Sequence, residues 1–407
     1  MPIANELKKN GWNSLLVHRG SWEHEKGRPS SELIDGLNVR DFSFYNTRFV
    51  YNIIKREQPK AVLILTTNYL FDRAVILAAR SLGVKSFFLM HGIRSVNKDA
   101  IKKQKSTTNN AVLSKRWLFI NKYLFYLIPN YLYSGAINNW KFLLSSKTYS
   151  LLWKLFRKPH RYILFPPISN ELHCDIALVW GNRYKQFFIE EYGYPRERVK
   201  VVGHPPLDEV FNLDQTYSNE NKPQHIINIY RKPYCVYLED GAVEQTVNEW
   251  NHKARLEHLN EIGQICNQLG YCLVVKLHPL TNGNPIIKSF FTNLNVKIIS
   301  KPIQLGELVM LSEFVIGQGS TTNDIAIALN KPLILPAWGL MKPKSLVTSK
   351  RQPSAILASS PEDLIKIIQD INTYNARKQK SRNKYINEYI TYTDGKAVKR
   401  IVKYLIS

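Results

Sequence analysis

Between Cys272 and Pro336 the chain repeats one arrangement: a short apolar run, then a loop of small or polar residues. The runs are Cys272–Leu277, Phe314–Gly317 and Pro332–Leu335. Each is too short for a helix and is bounded by Gly or Pro, the pattern of strands buried on both faces of a parallel sheet. The first loop opens Lys276-Leu277-His278-Pro279. The second, Gly317-Gln318-Gly319-Ser320-Thr321-Thr322, enters an Ala-rich helix that stops at Asn330-Lys331-Pro332. No other stretch restricts the fold as much, and it predicts an α/β unit.

In a doubly wound sheet ligands collect outside the strand carboxyl ends, and both loops sit at such ends. Gly317 and Gly319 let the backbone approach a ligand closely. Ser320, Thr321 and Thr322 offer hydroxyls at a helix start, where N–H groups and the helix dipole favour an anion. Lys276 and His278, turned by Pro279, supply donors from the neighbouring strand end. Together they read as a cradle for a monophosphate or diphosphate ester. The plainer alternative is a Thr-capped helix beside a histidine turned by proline.

The rest of the chain alternates in the same way. A helix is expected over Pro2–Asn10, then a strand over Ser14–His18 and a helix over Thr47–Lys55 capped by Asn46. Strand Ala61–Leu65 and helix Asp72–Leu82 follow, then strand Ser86–Met90, which ends in His91-Gly92. Further on come strand Cys174–Trp180 ending in Gly181-Asn182, helix Tyr184–Tyr192 closed by Gly193, and strand Val199–Val202 ending in Gly203-His204-Pro205. Strand Tyr234–Leu238 leads into Glu239-Asp240-Gly241, helix Trp250–Leu269 follows, and Pro361–Ile371 and Asn383–Ile406 read as terminal helices. A doubly wound domain opens with a strand, so the first strand of the N-terminal domain is expected to be absent. His91, at a strand end, suits a catalytic base because imidazole titrates near working pH; its alternative is to turn the strand out of the sheet.

The sequence Val275-Lys276-Leu277-His278-Pro279, followed by Gly317-x-Gly319-Ser320-Thr321-Thr322-x-Asp324-x-Ala326-x-Ala328-x-x-Lys331-Pro332, resembles the nucleotide-binding half of GT-B glycosyltransferases. The groups it is most similar to build bacterial surface polysaccharides: capsule sialyl- and Kdo-transferase-like enzymes and CDP-glycerol glycerophosphotransferases. The resemblance implies two Rossmann-like α/β domains facing across a cleft. It implies that the His-Pro and Ser/Thr loops hold the donor phosphate, and that Asp324 takes ribose hydroxyls, for which a carboxylate has paired acceptors. The structural alternative for Asp324 is to complement the helix dipole. His91-Gly92 resembles the His-Gly whose histidine acts as base in the glycerophosphotransferases. Glu239-Asp240-Gly241 resembles an acidic motif that carries the base of sialyltransferases, although there it lies in the first domain. Gly92, Asn182, His204 and Glu239 are expected to line the cleft. The expected domains are 1–205, with an insertion at about 100–170, a linker at 206–232, a donor domain at 233–380, and a C-terminal helix within 381–407 that crosses back.

Charge adds a second constraint. The net charge of +24 over 407 residues points to a polyanionic partner or a phosphorylated substrate. From Ala100 to Asn170 there are twelve Lys/Arg and no Asp or Glu, with Trp117, Trp140 and Trp153 among them. Aromatic side chains beside cations fit a helix lying in a bilayer interface. The alternatives are packing on its own domain and stacking on single-stranded nucleic acid. No stretch reaches the ~18 apolar residues of a spanning helix. Cys174, Cys235, Cys266 and Cys272 lack zinc spacing and read as free thiols.

The expected activity is transfer of a sugar from a CMP-, CDP- or UDP-linked donor to a lipid-linked or polysaccharide acceptor, inverting and without metal or other cofactor. The expected place is the cytoplasmic face of the membrane, as a peripheral protein. The alternatives are a glycerophosphotransferase, a nucleotide-sugar 2-epimerase-like enzyme, and a basic nucleic-acid-binding module.

Overall fold

A computed structural model describes residues 2–23, 29–66, 69–91, 123–157, 172–216, 233–239, 251–277, 296–299, 305–318, 321–339 and 354–407. Two compact units result, Met1–Gly203 with Ala397–Ser407, and His204–Lys396. The division falls at Gly203/His204, and only the last helix rejoins the first unit.

The first unit opens with α1 (Pro2–Lys9), β1 (Leu15–His18), β2 (Ser31–Ile34) and β3 (Leu37–Asp41). These strands form their own sheet in the order β1-β3-β2. Strands β2 and β3 are a hairpin in which Ile34 pairs with Leu37, and Asp35 and Gly36 both have positive φ. That is the primed two-residue turn for which Asp-Gly is suited. Next come α2 (Val50–Glu57), β4 (Ala61–Ile64), α3 (Leu70–Ser81) and β5 (Lys85–Leu89). Asn46 does not cap α2. It takes a left-handed conformation that closes a short 3₁₀ turn at Phe42–Tyr45, and Phe49 precedes α2 without a side-chain cap.

Helices α4 (Ile128–Asn138) and α5 (Ser146–Arg157) are followed by β6 (Ile176–Val179), α6 (Asn182–Tyr192) and β7 (Val199–Val201). Strands β4-β5-β6-β7 lie side by side, all parallel. The core on one side of them joins Ile53 and Ile54 of α2 to Leu70, Ala74 and Leu77 of α3, and to Tyr131, Leu151 and Leu155 of α4 and α5.

In the second unit α7 (Asp208–Thr216) stands where a linker is expected, and its Val210 is buried. Then follow β8 (Tyr234–Leu238), α8 (His252–Gln268), β9 (Cys272–Lys276), β10 (Val296–Ile299), α9 (Leu305–Met310), β11 (Val315–Gly317), α10 (Asn323–Ala328), β12 (Leu333–Pro336), β13 (Ile356–Ala358), α11 (Pro361–Gln369) and α12 (Ile371–Tyr385). Helix α13 (Ala397–Ile406) ends the chain and shares an apolar cluster with Ile3 of α1 through Ile401, Tyr404 and Leu405. Helix α12 departs from the sequence expectation, because its polar sequence carries no apolar period.

The six described strands of the second unit are all parallel, in the order β10-β9-β8-β11-β12-β13. Alternation along each strand sends Tyr234, Val236 and Leu238 into one apolar cluster and Cys235 and Tyr237 into another. Both faces are therefore covered, as parallel sheets require. All four cysteines are free.

Candidate functional site

The chain runs β8, β9, β10 outward in one direction, then returns to lay β11, β12 and β13 on the other side of β8. The order reverses between β8 and β11, which is the switch point where α/β sheets bind ligands. Glu239 follows β8, Lys276 ends β9, and Gln318 leads β11 toward Thr321 and Thr322. His278, Pro279, Gly319, Ser320, Asp240, Gly92 and Trp117 lie outside the described residues.

Glu239 is held from two sides. Its backbone N–H donates to Lys276 O at 3.2 Å, and its Oε1 lies 2.8 Å from Arg255 Nε of α8, with both side chains almost fully buried. Lys276 is half-buried, with Nζ donating to Leu277 O at 3.0 Å. Desolvation pulls its pKa down, and the nearby Glu239 carboxylate works against that shift. The ammonium therefore sits at a strand end with its charge partly balanced from below.

At β11 the backbone packs closely on the helix that follows. Asn323 Nδ2 donates to Gln318 O, and a β-carbon at Gly317 would overlap the Asn323 side-chain amide. Thr321 and Thr322 are half-buried. Helix α10 is only six residues long, and its first N–H groups are engaged: Asp324 N bonds Thr321 O and Ile325 N bonds Thr322 O, each at 3.1 Å. Thr322 makes no side-chain cap bond. The Ala-rich helix is thus short, and Lys276, Thr321 and Thr322 are half-buried polar groups beside it.

Two of the expected site residues are buried. Asp324 is 2% exposed, and its Oδ1 accepts from Tyr385 Oη at 2.9 Å. That bond gives one carboxylate oxygen a partner within the protein. His204 is 4% exposed inside the second unit, with Nδ1 3.9 Å from Asp324 Oδ2, and burial pushes its pKa down to about 3. It is neutral, so the contact is not an ion pair.

In the first unit His91 is exposed just past β5, and Asn182 is exposed at the start of α6. Trp180 Nε1 donates to Met90 O at 3.1 Å, which ties the exit of β6 to the residue before His91. Of the basic window, residues 123–157 are described, and among them Tyr131, Leu151 and Leu155 are core residues. In the same segment Trp140 and Trp153 are exposed, as are Leu144 (74%), Tyr149 (70%) and Phe156 (80%). Among the described residues no group of three or more His, Cys, Asp or Glu could hold a metal ion.

Residues 167–407, more than half of the chain and all of its second unit, match the family described as CDP-glycerol:poly(glycerophosphate) glycerophosphotransferase. The chain belongs to that family. No curated protein matches it. Among solved structures it is similar to the wall teichoic acid polymerase TagF, at 17% identity and TM-score 0.42 over 57% of this chain and 58% of that one. It is similar also to a UDP-GlcNAc 2-epimerase of Methanocaldococcus jannaschii in complex with UDP-GlcNAc and UDP, at 17% identity and TM-score 0.48 over 88% and 78%. Likewise S. aureus MnaA with UDP gives 14% identity and TM-score 0.49 over the same shares. The chain spans little more than half the length of the polymerase.

Arg255 is the residue that sequence reading of this glycerophosphotransferase-family chain missed. The signal was present: Arg255, His258, Leu259, Ile262 and Cys266 fall on the buried stripe of α8. A cation on such a stripe demands a buried acid.

Proposed function

We propose that the chain transfers a glycerol phosphate unit from a cytidine-diphosphate-linked donor to a polymer or lipid-linked acceptor, with the donor nucleotide on the second unit. The observation that carries this reading is the switch point between β8 and β11, flanked by Lys276 and Thr321–Thr322, within the region matched by the family. Lys276 would meet the donor phosphates and stabilise the departing nucleotide as the phosphoanhydride bond breaks. An acceptor hydroxyl would attack the distal phosphorus, forming a P–O bond and releasing CMP. His91 would take the hydroxyl proton. Sugar transfer, the first expectation from sequence, is the second reading, since the same charges would stabilise a nucleoside diphosphate leaving group. No metal is proposed.

The proposed site of action is the inner membrane face. On α5 and the turn that precedes it, Leu143, Leu144, Tyr149, Trp153 and Phe156 are all exposed within fourteen consecutive residues. Such a patch on a soluble surface marks an interaction site. Trp153 stacks on Phe156, Arg157 lies 4.7 Å over the Trp153 ring, and Lys141 and Lys147 are exposed nearby. Cations around an apolar ridge, in a window without acids, match an anionic lipid surface, where each adds about 1 kcal/mol. No helix among the described residues is long and apolar enough to cross a membrane.

Thermal unfolding with CMP, CDP, UMP and UDP, repeated on Lys276→Ala, tests the donor site. A ligand at a hundredfold excess over its dissociation constant stabilises by about 2.7 kcal/mol. A shift with cytidine nucleotides that Lys276→Ala loses is the expected result. A shift with uridine nucleotides alone favours sugar transfer, and no shift with any of them refutes the donor site.

A further inference from the structure

We propose that α12 is a positioning element for the Thr321–Thr322 turn, gripping the short helix α10 at both ends. The inference rests on the donor-site reading and gives the turn a mechanical support. Arg382 and Tyr385 are three residues apart on α12, hence on one face, and both are 1% exposed. Tyr385 Oη donates to Asp324 at the start of α10, at 2.9 Å. Arg382 Nη1 donates to Asn330 O at 3.0 Å and to Asn330 Oδ1, just past the end of α10. Its Nη2 returns to Asn375 on α12 itself.

A helix of this length has little stability of its own. Tertiary contacts must set its position, and these bonds seize its two termini. Asn330 has φ 55, a left-handed conformation that Arg382 pins through both of its oxygens. Asp324 couples the grip to the turn. Its side chain faces Tyr385 and His204, while its backbone N–H closes on Thr321 O. A guanidinium buried against amide oxygens is costly to desolvate, and desolvation does pull the Arg382 pKa down. Beyond Tyr385 the helix widens into a π turn, Ile386–Ile390, in which Tyr389 stacks on Tyr385 at 4.7 Å. That packing fixes the ring that holds Asp324. The carboxylate expected to touch the ligand thus acts one step behind it.

The test uses the full chain with CDP as probe, comparing Tyr385→Phe with the unsubstituted protein and with Lys380→Ala on the exposed face of α12. Tyr385→Phe should raise the CDP dissociation constant fivefold or more and the donor KM likewise, with kcat within twofold. It should also speed amide hydrogen exchange in residues 321–329 at least fivefold relative to the strands. Lys380→Ala should change neither. CDP binding within twofold of the unsubstituted chain, or unchanged exchange in 321–329, overturns the inference and leaves the donor site standing. Failure of the unsubstituted chain to bind either CDP or UDP overturns the donor-site reading and this inference with it.

Discussion

Replacing Arg255 by Met tests the logic of the switch point most directly. The substitution keeps the apolar stem of the side chain and deletes the charge that lies 2.8 Å from Glu239 Oε1. Arg255 is 3% exposed and Glu239 6%, so water cannot take over the role of the guanidinium. Removing one member of a buried pair leaves an uncompensated charge and costs about 3–5 kcal/mol. That is a large share of the roughly 5–15 kcal/mol that holds a typical domain together. Arg255→Met should therefore lower the urea midpoint of the second unit sharply. The double variant Arg255→Met with Glu239→Gln should recover most of the loss, because a pair replaced by neutral groups of similar volume no longer strands a charge. A single-variant cost below about 1 kcal/mol, the range of exposed pairs, would mean that water reaches Glu239. A double variant no better than the single would show that packing, not charge, was lost. Either result refutes a buried, charge-balanced pair beneath the site.

Three further outcomes can be checked with ordinary assays. Burial pushes His258 down to about 4 from an ordinary 6.5; the unfolded imidazole therefore binds protons from pH 6.5 downward while the folded one does not. Its contribution to stability is full above pH 6.5 and is lost as pH falls, by about 3 kcal/mol at pH 4, so Tm should fall between pH 6.5 and 4.5 and a flat profile would contradict this. Gly317→Ala should destabilise by about 1–3 kcal/mol through overpacking against Asn323 and abolish nucleotide-induced Tm shifts; an unchanged Tm with intact binding would mean that the loop yields freely. Turnover should survive a chelator in excess, and abolition of activity reversed by added divalent cation would refute metal independence.

The strands of the second unit were legible because a buried parallel strand must be short, apolar and followed by a loop. Tyr234–Leu238 reads from sequence with the bounds it has in the structure. The β2–β3 hairpin carried its signal too, in Asp35-Gly36 between Ile34 and Leu37, but with single apolar residues around the turn the signal was easy to pass over. Asn46 shows the reverse case. Its residue type suits an N-cap, yet the same small amide also tolerates the left-handed turn that it adopts.

The polar partners were the part that sequence concealed, and the reason is geometric. Periodicity reports which face a residue occupies, whereas a buried charge is defined by what meets it across the sheet. Glu239 and Lys276 were placed near the site because both end strands, and the strand-end rule needs only local sequence. Asp324 shows what that rule leaves out: it stands beside a ligand loop, and its carboxylate accepts from Tyr385, 61 positions further along the chain. Local position fixes where a side chain begins, and distant sequence decides what it meets. Perturbing Arg255, Tyr385 and Arg382 therefore tests the site through residues that its motif does not contain.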